Sequence, residues 1–114
     1  MPLDIQLREA GGVTVLDLKG QVVLGPESAA LREAIRKLLD EGKKKLLLDF
    51  GDVGFIDSAG VGTLVAAFTT ARTVGAELKL SRLTPRFRKT LQVTRLLSVF
   101  EIYDDEAEAL RHFQ

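Results

Sequence analysis

The sequence predicts a single α/β domain over residues 1–114, a small mixed β-sheet packed with about four helices in the order β-β-α-β-α-β-α-β-α. Two observations predict it. Short leucine-rich or β-branched runs alternate with segments whose apolar residues recur at helical spacing, the pattern of strands joined by right-handed crossover helices and hence of parallel neighbours. The start departs from this pattern, because two alternating runs flank Gly11-Gly12 and predict an antiparallel hairpin.

In the first strand Leu3, Ile5 and Leu7 alternate with Asp4, Gln6 and Arg8, the period of a half-buried strand. Gly11-Gly12 supplies a tight turn, and Val13-Thr14-Val15-Leu16-Asp17-Leu18 forms the second strand, ended by Gly20. Gly25-Pro26-Glu27 opens a helix with proline in its first turn. Leu31, Ala34, Ile35 and Leu38 are its buried stripe, Arg32, Glu33, Arg36 and Lys37 its outer face, and Gly42 follows its end. Lys43-Lys44-Lys45 is a solvated lead into Leu46-Leu47-Leu48, a strand buried on both faces.

A glycine-studded loop from Asp49 to Asp57 then enters a second long helix with Val61, Leu64, Val65 and Phe68 on one face, ending near Gly75. Leu78 and Leu80 alternate with Glu77, Lys79 and Ser81 as a fourth strand. Thr84-Pro85 caps a short helix with Phe87 and Leu91 inward. Phe100, Ile102 and Tyr103 form a last short strand, and Asp104, Asp105 and Glu106 suit the positive end of a final helix through Leu110 and Phe113.

Composition narrows the function. With 16 basic and 16 acidic residues there is no overall field to favour nucleic acid or a membrane. Cysteine is absent, which excludes disulfides and thiolate metal sites, and no apolar run approaches the ~20 residues of a membrane span. The N-terminus lacks a basic segment followed by an apolar one, so a soluble cytoplasmic protein is expected.

Catalytic templates fail in turn. No glycine is placed as in a phosphate-cradling Gly-x-x-x-x-Gly-Lys-Ser/Thr loop, Gly60-Val61-Gly62 lacks the third glycine of a dinucleotide fingerprint because position 65 is Val65, and Ile56 stands where a nucleophile elbow needs glycine. The one histidine, His112, sits near the C-terminus as a solvent-facing side chain. Asp49, Asp52 and Asp57 are the one carboxylate group worth weighing for magnesium, but turn and cap hydrogen bonds account for Asp49 and Asp57. No cofactor, metal or enzymatic activity is expected.

What remains is Asp57-Ser58 followed by Gly60 and Gly62. Capping of the second long helix explains the polar pair. It does not explain two glycines in a first helical turn, each costing about 1 kcal/mol relative to alanine. Glycine suits a close backbone approach or unusual φ/ψ, so a docking surface around Ser58 stands beside the capping reading.

Leu48-Asp49-Phe50 with Val53, followed by Phe55-Ile56-Asp57-Ser58-Ala59-Gly60-Val61-Gly62-Thr63-Leu64, closely resembles the signature of anti-sigma factor antagonists, the bacterial STAS domains. The resemblance runs through the chain: the opening hairpin, Gly20, Gly75-Ala76-Glu77-Leu78 entering a strand, and Leu83-Thr84-Pro85 before a short helix. It implies a STAS-like fold. It also implies that Ser58 is the phosphoacceptor of a partner anti-sigma factor with serine kinase activity, that the unphosphorylated form binds this partner and releases a sigma factor, and that a PP2C-type phosphatase restores binding. Asp57, Ser58, Ala59, Gly60, Val61 and Gly62 would then form the docking rim, with Leu24 and Gly25 contributing from the neighbouring loop. One departure is in that loop, Gln21-Val22-Val23-Leu24-Gly25-Pro26-Glu27, where many antagonists carry an acid that helps engage the kinase and Glu27 is the nearest one here. The alternative is a constitutive scaffold or accessory module of the same fold, in a signalling or lipid-transport complex, never phosphorylated. Monomer and dimer are both compatible with the sequence.

Overall fold

The structure, a computed structural model, describes residues 3–113. Its elements are β1 (Asp4–Ala10), β2 (Val13–Val22), α1 (Pro26–Asp40), β3 (Lys45–Ile56), α2 (Ser58–Thr73), β4 (Glu77–Ser81), α3 (Pro85–Val93), β5 (Glu101–Tyr103) and α4 (Glu106–Arg111), in the expected order. The five strands lie in the sheet in sequence order, with β1 antiparallel to β2 and every other pair parallel. Gly11 and Gly12 take φ of 59° and 82°, the positive pair that a two-residue hairpin turn requires.

The sheet is covered unequally. Leu31 and Ile35 of α1, Val61 and Leu64 of α2, and Phe87 and Leu91 of α3 bury one face against Leu16, Leu46, Leu48, Phe50 and Leu80. The other face carries a smaller cluster of Val13, Val15, Leu47 and Ala109, closed by α4. Because β2, β3 and β4 run parallel and each is followed by a helix, α1, α2 and α3 all begin at the same edge of the sheet.

Four local expectations are corrected. The stretch after Leu48 is strand through Ile56: β3 stays in register with β2 as far as Val22↔Ile56, and two register shifts between the strands absorb the irregularity. Gly20, at φ 117°, therefore lies within β2 beside one of these shifts instead of ending it. The alternation of Leu78 and Leu80 with Glu77, Lys79 and Ser81 does not leave one face wet: Lys79 is 3% exposed, because α4 covers its side of a central strand. Its Nζ donates to Glu101 at 2.6 Å and lies 5.2 Å from the Phe113 ring. Leu7 is 52% exposed on β1, an edge strand of the sheet.

On α2 the inward stripe is Val61, Leu64, Ala67 and Ala71, with Val65 and Phe68 half-buried at its flank. The edge-to-face contact of Phe68 with Phe100, centroids 5.5 Å apart, closes that flank.

Candidate functional site

Asp57 organises the junction between β3 and α2. Its extended backbone (φ −100°) ends the strand and makes it the cap of α2, where Oδ1 accepts the Gly60 N–H at 2.9 Å. Its second oxygen accepts the Leu24 N–H at 3.0 Å, so one carboxylate ties the start of α2 to the loop between β2 and α1. The Asp57 N–H donates to the Val22 carbonyl (3.2 Å), which fastens the same two segments through the backbone. The N–H groups of Gly60 and then Leu24 hold the Asp57 carboxyl below the ordinary carboxylate range, because they stabilise its charged form.

Ser58 is the first residue of α2 and is exposed. Its hydroxyl makes no hydrogen bond among the described residues. With the capping work done by Asp57, the serine is left with no structural duty.

The glycines divide. Gly60 is buried, and a Cβ there would stand 2.2 Å from the Val22 carbonyl oxygen and 2.7 Å from Ile56 Cγ1. The approach it permits is that of the chain's own β2, not of a visitor. Val61, only 6% exposed, is likewise a core residue. These two support the rim from beneath rather than forming it. At Gly62 a Cβ would meet nothing within 4 Å, so no internal contact accounts for glycine on that exposed turn.

The accessible rim is therefore Ser58, half-buried Ala59 and Gly62 on α2, with Leu24 (76% exposed) and Gly25 across from them. An open groove runs between these segments, lined further by Ser28, Arg32, Thr63 and Ala66. Sequence reading placed Arg32 on the outer face of α1 and did not connect it to Ser58. Its helical position, one turn below Ser28, was the available signal, but only the packing of α1 on α2 turns it into the groove. Ser28 is buried, and its Oγ donates to the Val23 carbonyl at 2.7 Å, which holds the loop against α1.

The aspartates weighed for magnesium are not brought together. Asp49 is buried, accepts the Gly51 N–H at 2.8 Å and pairs with Arg82 at 3.0 Å, while Asp57 is spent on the cap. Among the described residues the carboxylates that converge are Asp17, Asp49 and Glu106. Arg8 bridges Asp17 and Glu106 and Arg82 neutralises Asp49, so two guanidinium groups already occupy the places a cation would take. His112 stacks on Tyr103, centroids 4.7 Å apart, at the end of α4. It has no part in the rim.

Comparison with known proteins agrees with this geometry. A family model described as the STAS domain matches residues 4–109. The anti-sigma-B factor antagonist of Bacillus subtilis is 29% identical over 99 residues, covering 87% of this chain and 81% of that protein. The anti-sigma F factor antagonist of Paenibacillus polymyxa is 23% identical over 119 residues, covering 100% and 97%. Among solved structures, the anti-sigma factor antagonist SpoIIAA in its unphosphorylated form superposes with a TM-score of 0.73 at 21% identity, covering 96% of this chain and 100% of that one. A fold of five strands and four helices in this order, a serine directly after the capping aspartate at the start of α2, and a family match over nearly the whole chain converge on one conclusion: the chain belongs to the STAS domain family, with anti-sigma factor antagonists among its relatives.

Proposed function

We propose that the protein is an anti-sigma factor antagonist whose binding is switched by phosphorylation of Ser58. The observation that carries the reading is the exposed, unpartnered Ser58 hydroxyl beside a carboxylate that already caps the helix. In its unphosphorylated form the chain docks an anti-sigma factor with serine kinase activity through Ser58, Ala59, Gly62, Leu24 and Gly25, and a sigma factor is released. A PP2C-type phosphatase reverses the modification. The switch is proposed to act in the cytoplasm. No helix among the described residues is long and apolar enough to cross a membrane.

The physical basis is charge. A phosphoserine adds about −1.5 to −2 charges. The chain tolerates that charge at the start of a helix, where N–H groups and the dipole favour anions. A partner pressed against the groove would have to desolvate the dianion beside the Asp57 carboxylate, and that penalty opposes docking. The solved SpoIIAA structures include both an unphosphorylated and a phosphorylated form, consistent with a fold that accepts the modification.

The test is incubation with ATP and the anti-sigma factor kinase of the same genome, followed by intact mass and calorimetric binding. One added phosphate on wild type, none on Ser58→Ala, and a loss of affinity of about a hundredfold in Ser58→Glu with unchanged Tm are expected. Equal affinity of wild type and Ser58→Glu would overturn the switch and leave a constitutive binding module.

A further inference from the structure

Charge is sharply segregated along a chain that is neutral overall. Between residues 79 and 100 lie Lys79, Arg82, Arg86, Arg88, Lys89 and Arg95, and no acidic residue. The structure accounts for half of them: Lys79 is buried against Glu101, Arg82 is bound to Asp49, and Arg88 lies 3.6 Å from Asp104. The other three are exposed on or beside α3. Arg86 covers the Phe55 ring at 5.3 Å, whereas Lys89 and Arg95 have no partner among the described residues. Arg86, Lys89 and Val93 fall on one side of the helix by their spacing, and Val93 is 69% exposed.

The first turns of this helix lie beside the segment that leads into Ser58. α3 opens at the same edge of the sheet as α2, and its first turns pack on Phe55 and Ile56, the residues that lead directly into Asp57-Ser58. We infer that the outward face of α3, with Arg86, Lys89 and Val93 and with Arg95 just beyond its end, is a second docking surface that takes an acidic segment of the protein partner engaged at Ser58. The inference rests on the proposed function and names the charge that its partner must carry. A protein fits better than a polyanion. Duplex or membrane binding needs a broad run of cations, and the 79–100 stretch offers only these few. A protein can set an acid beside Lys89 and an apolar side chain beside Val93.

The experiment compares wild type with Arg86→Glu/Lys89→Glu, using as probe the anti-sigma factor kinase that modifies Ser58. Lys89→Glu alone, which removes no contact of the fold, is the second variant, and circular dichroism and Tm confirm folding. The double variant should raise KM for Ser58 phosphorylation about tenfold with kcat within about twofold, and should flatten the dependence of Kd on salt between about 50 and 300 mM. Unchanged KM and Kd at low salt in both variants would overturn the docking surface and leave the Ser58 switch intact. Conversely, a wild type that binds the kinase without being phosphorylated would sink the switch, and the Kd of the variants would still judge α3. Tight wild-type binding to duplex DNA or phosphatidylglycerol vesicles, lost in the double variant, would overturn the assignment to a protein.

Discussion

Two glycines that look alike in the sequence have opposite reasons for being there, and substitution separates them. Gly60→Ala drives a methyl group into the Val22 carbonyl and should cost about 1–3 kcal/mol. Gly62→Ala enters open space on an exposed helical turn and should stabilise by up to about 1 kcal/mol. Urea unfolding measures both, and calorimetry with the anti-sigma factor completes the comparison: weakened binding by the more stable Gly62→Ala would place that position in the interface, and unchanged binding would remove it. Asp57 gives a pH signature. Its folded-state carboxyl titrates below the unfolded value, so its contribution is present above the unfolded pKa and lost as pH falls through the folded one. Asp57→Asn should therefore flatten the acid limb of the stability profile and lower Tm at neutral pH, with Asp57→Ala lower still. A mutant profile parallel to wild type down to strongly acid pH would show that the carboxylate charge does not matter there.

At the scale of elements, α4 is short, and its hold on the sheet depends on a few contacts. Ala109 is buried against Val13, Val15 and Leu47, and Arg8 of the edge strand bridges Asp17 and Glu106 from outside. The Arg8 guanidinium holds its proton more tightly because both carboxylates bond to it, but it is largely exposed and water screens the gain. Arg8→Ala should cost no more than about 1 kcal/mol, less at high salt. Hydrogen exchange would show the loss concentrated at 106–111, and uniform acceleration across the sheet would contradict this account. The elements were readable because each carried a period or a punctuation mark: Pro26, Gly42, Thr84-Pro85 and the Leu31 to Leu38 stripe. The continuation of β3 through Gly51 and Gly54 was not. Glycine signals a loop locally, and only pairing with β2 and the Arg82 side chain lying over Gly51 make it strand. Lys79 escaped for a similar reason, since alternation assumes one wet face and the sequence, which announces α4, does not say which face of the sheet it covers.

For the whole molecule, the position of Ser58 was legible from sequence because a serine after a capping aspartate is a local feature. The groove was not, because Leu24, Arg32 and Ala66 come from three elements and meet only through packing. The same limit hid the α3 face: charge segregation is visible in the chain, but its adjacency to Ser58 depends on three helices opening at one edge of the sheet. That arrangement has an evolutionary consequence. The proposed recognition surface is assembled from the segments that follow three separate strands, while the leucines and valines that hold the fold lie behind them. The exposed positions of each segment can therefore drift without disturbing the core, while Asp57, Gly60 and Val61 hold the segments together. On the proposed function, sister copies within one genome would come to ignore each other's kinases through a handful of substitutions at exposed positions such as Leu24, Gly62, Lys89 and Val93, keeping parallel circuits insulated on a common scaffold.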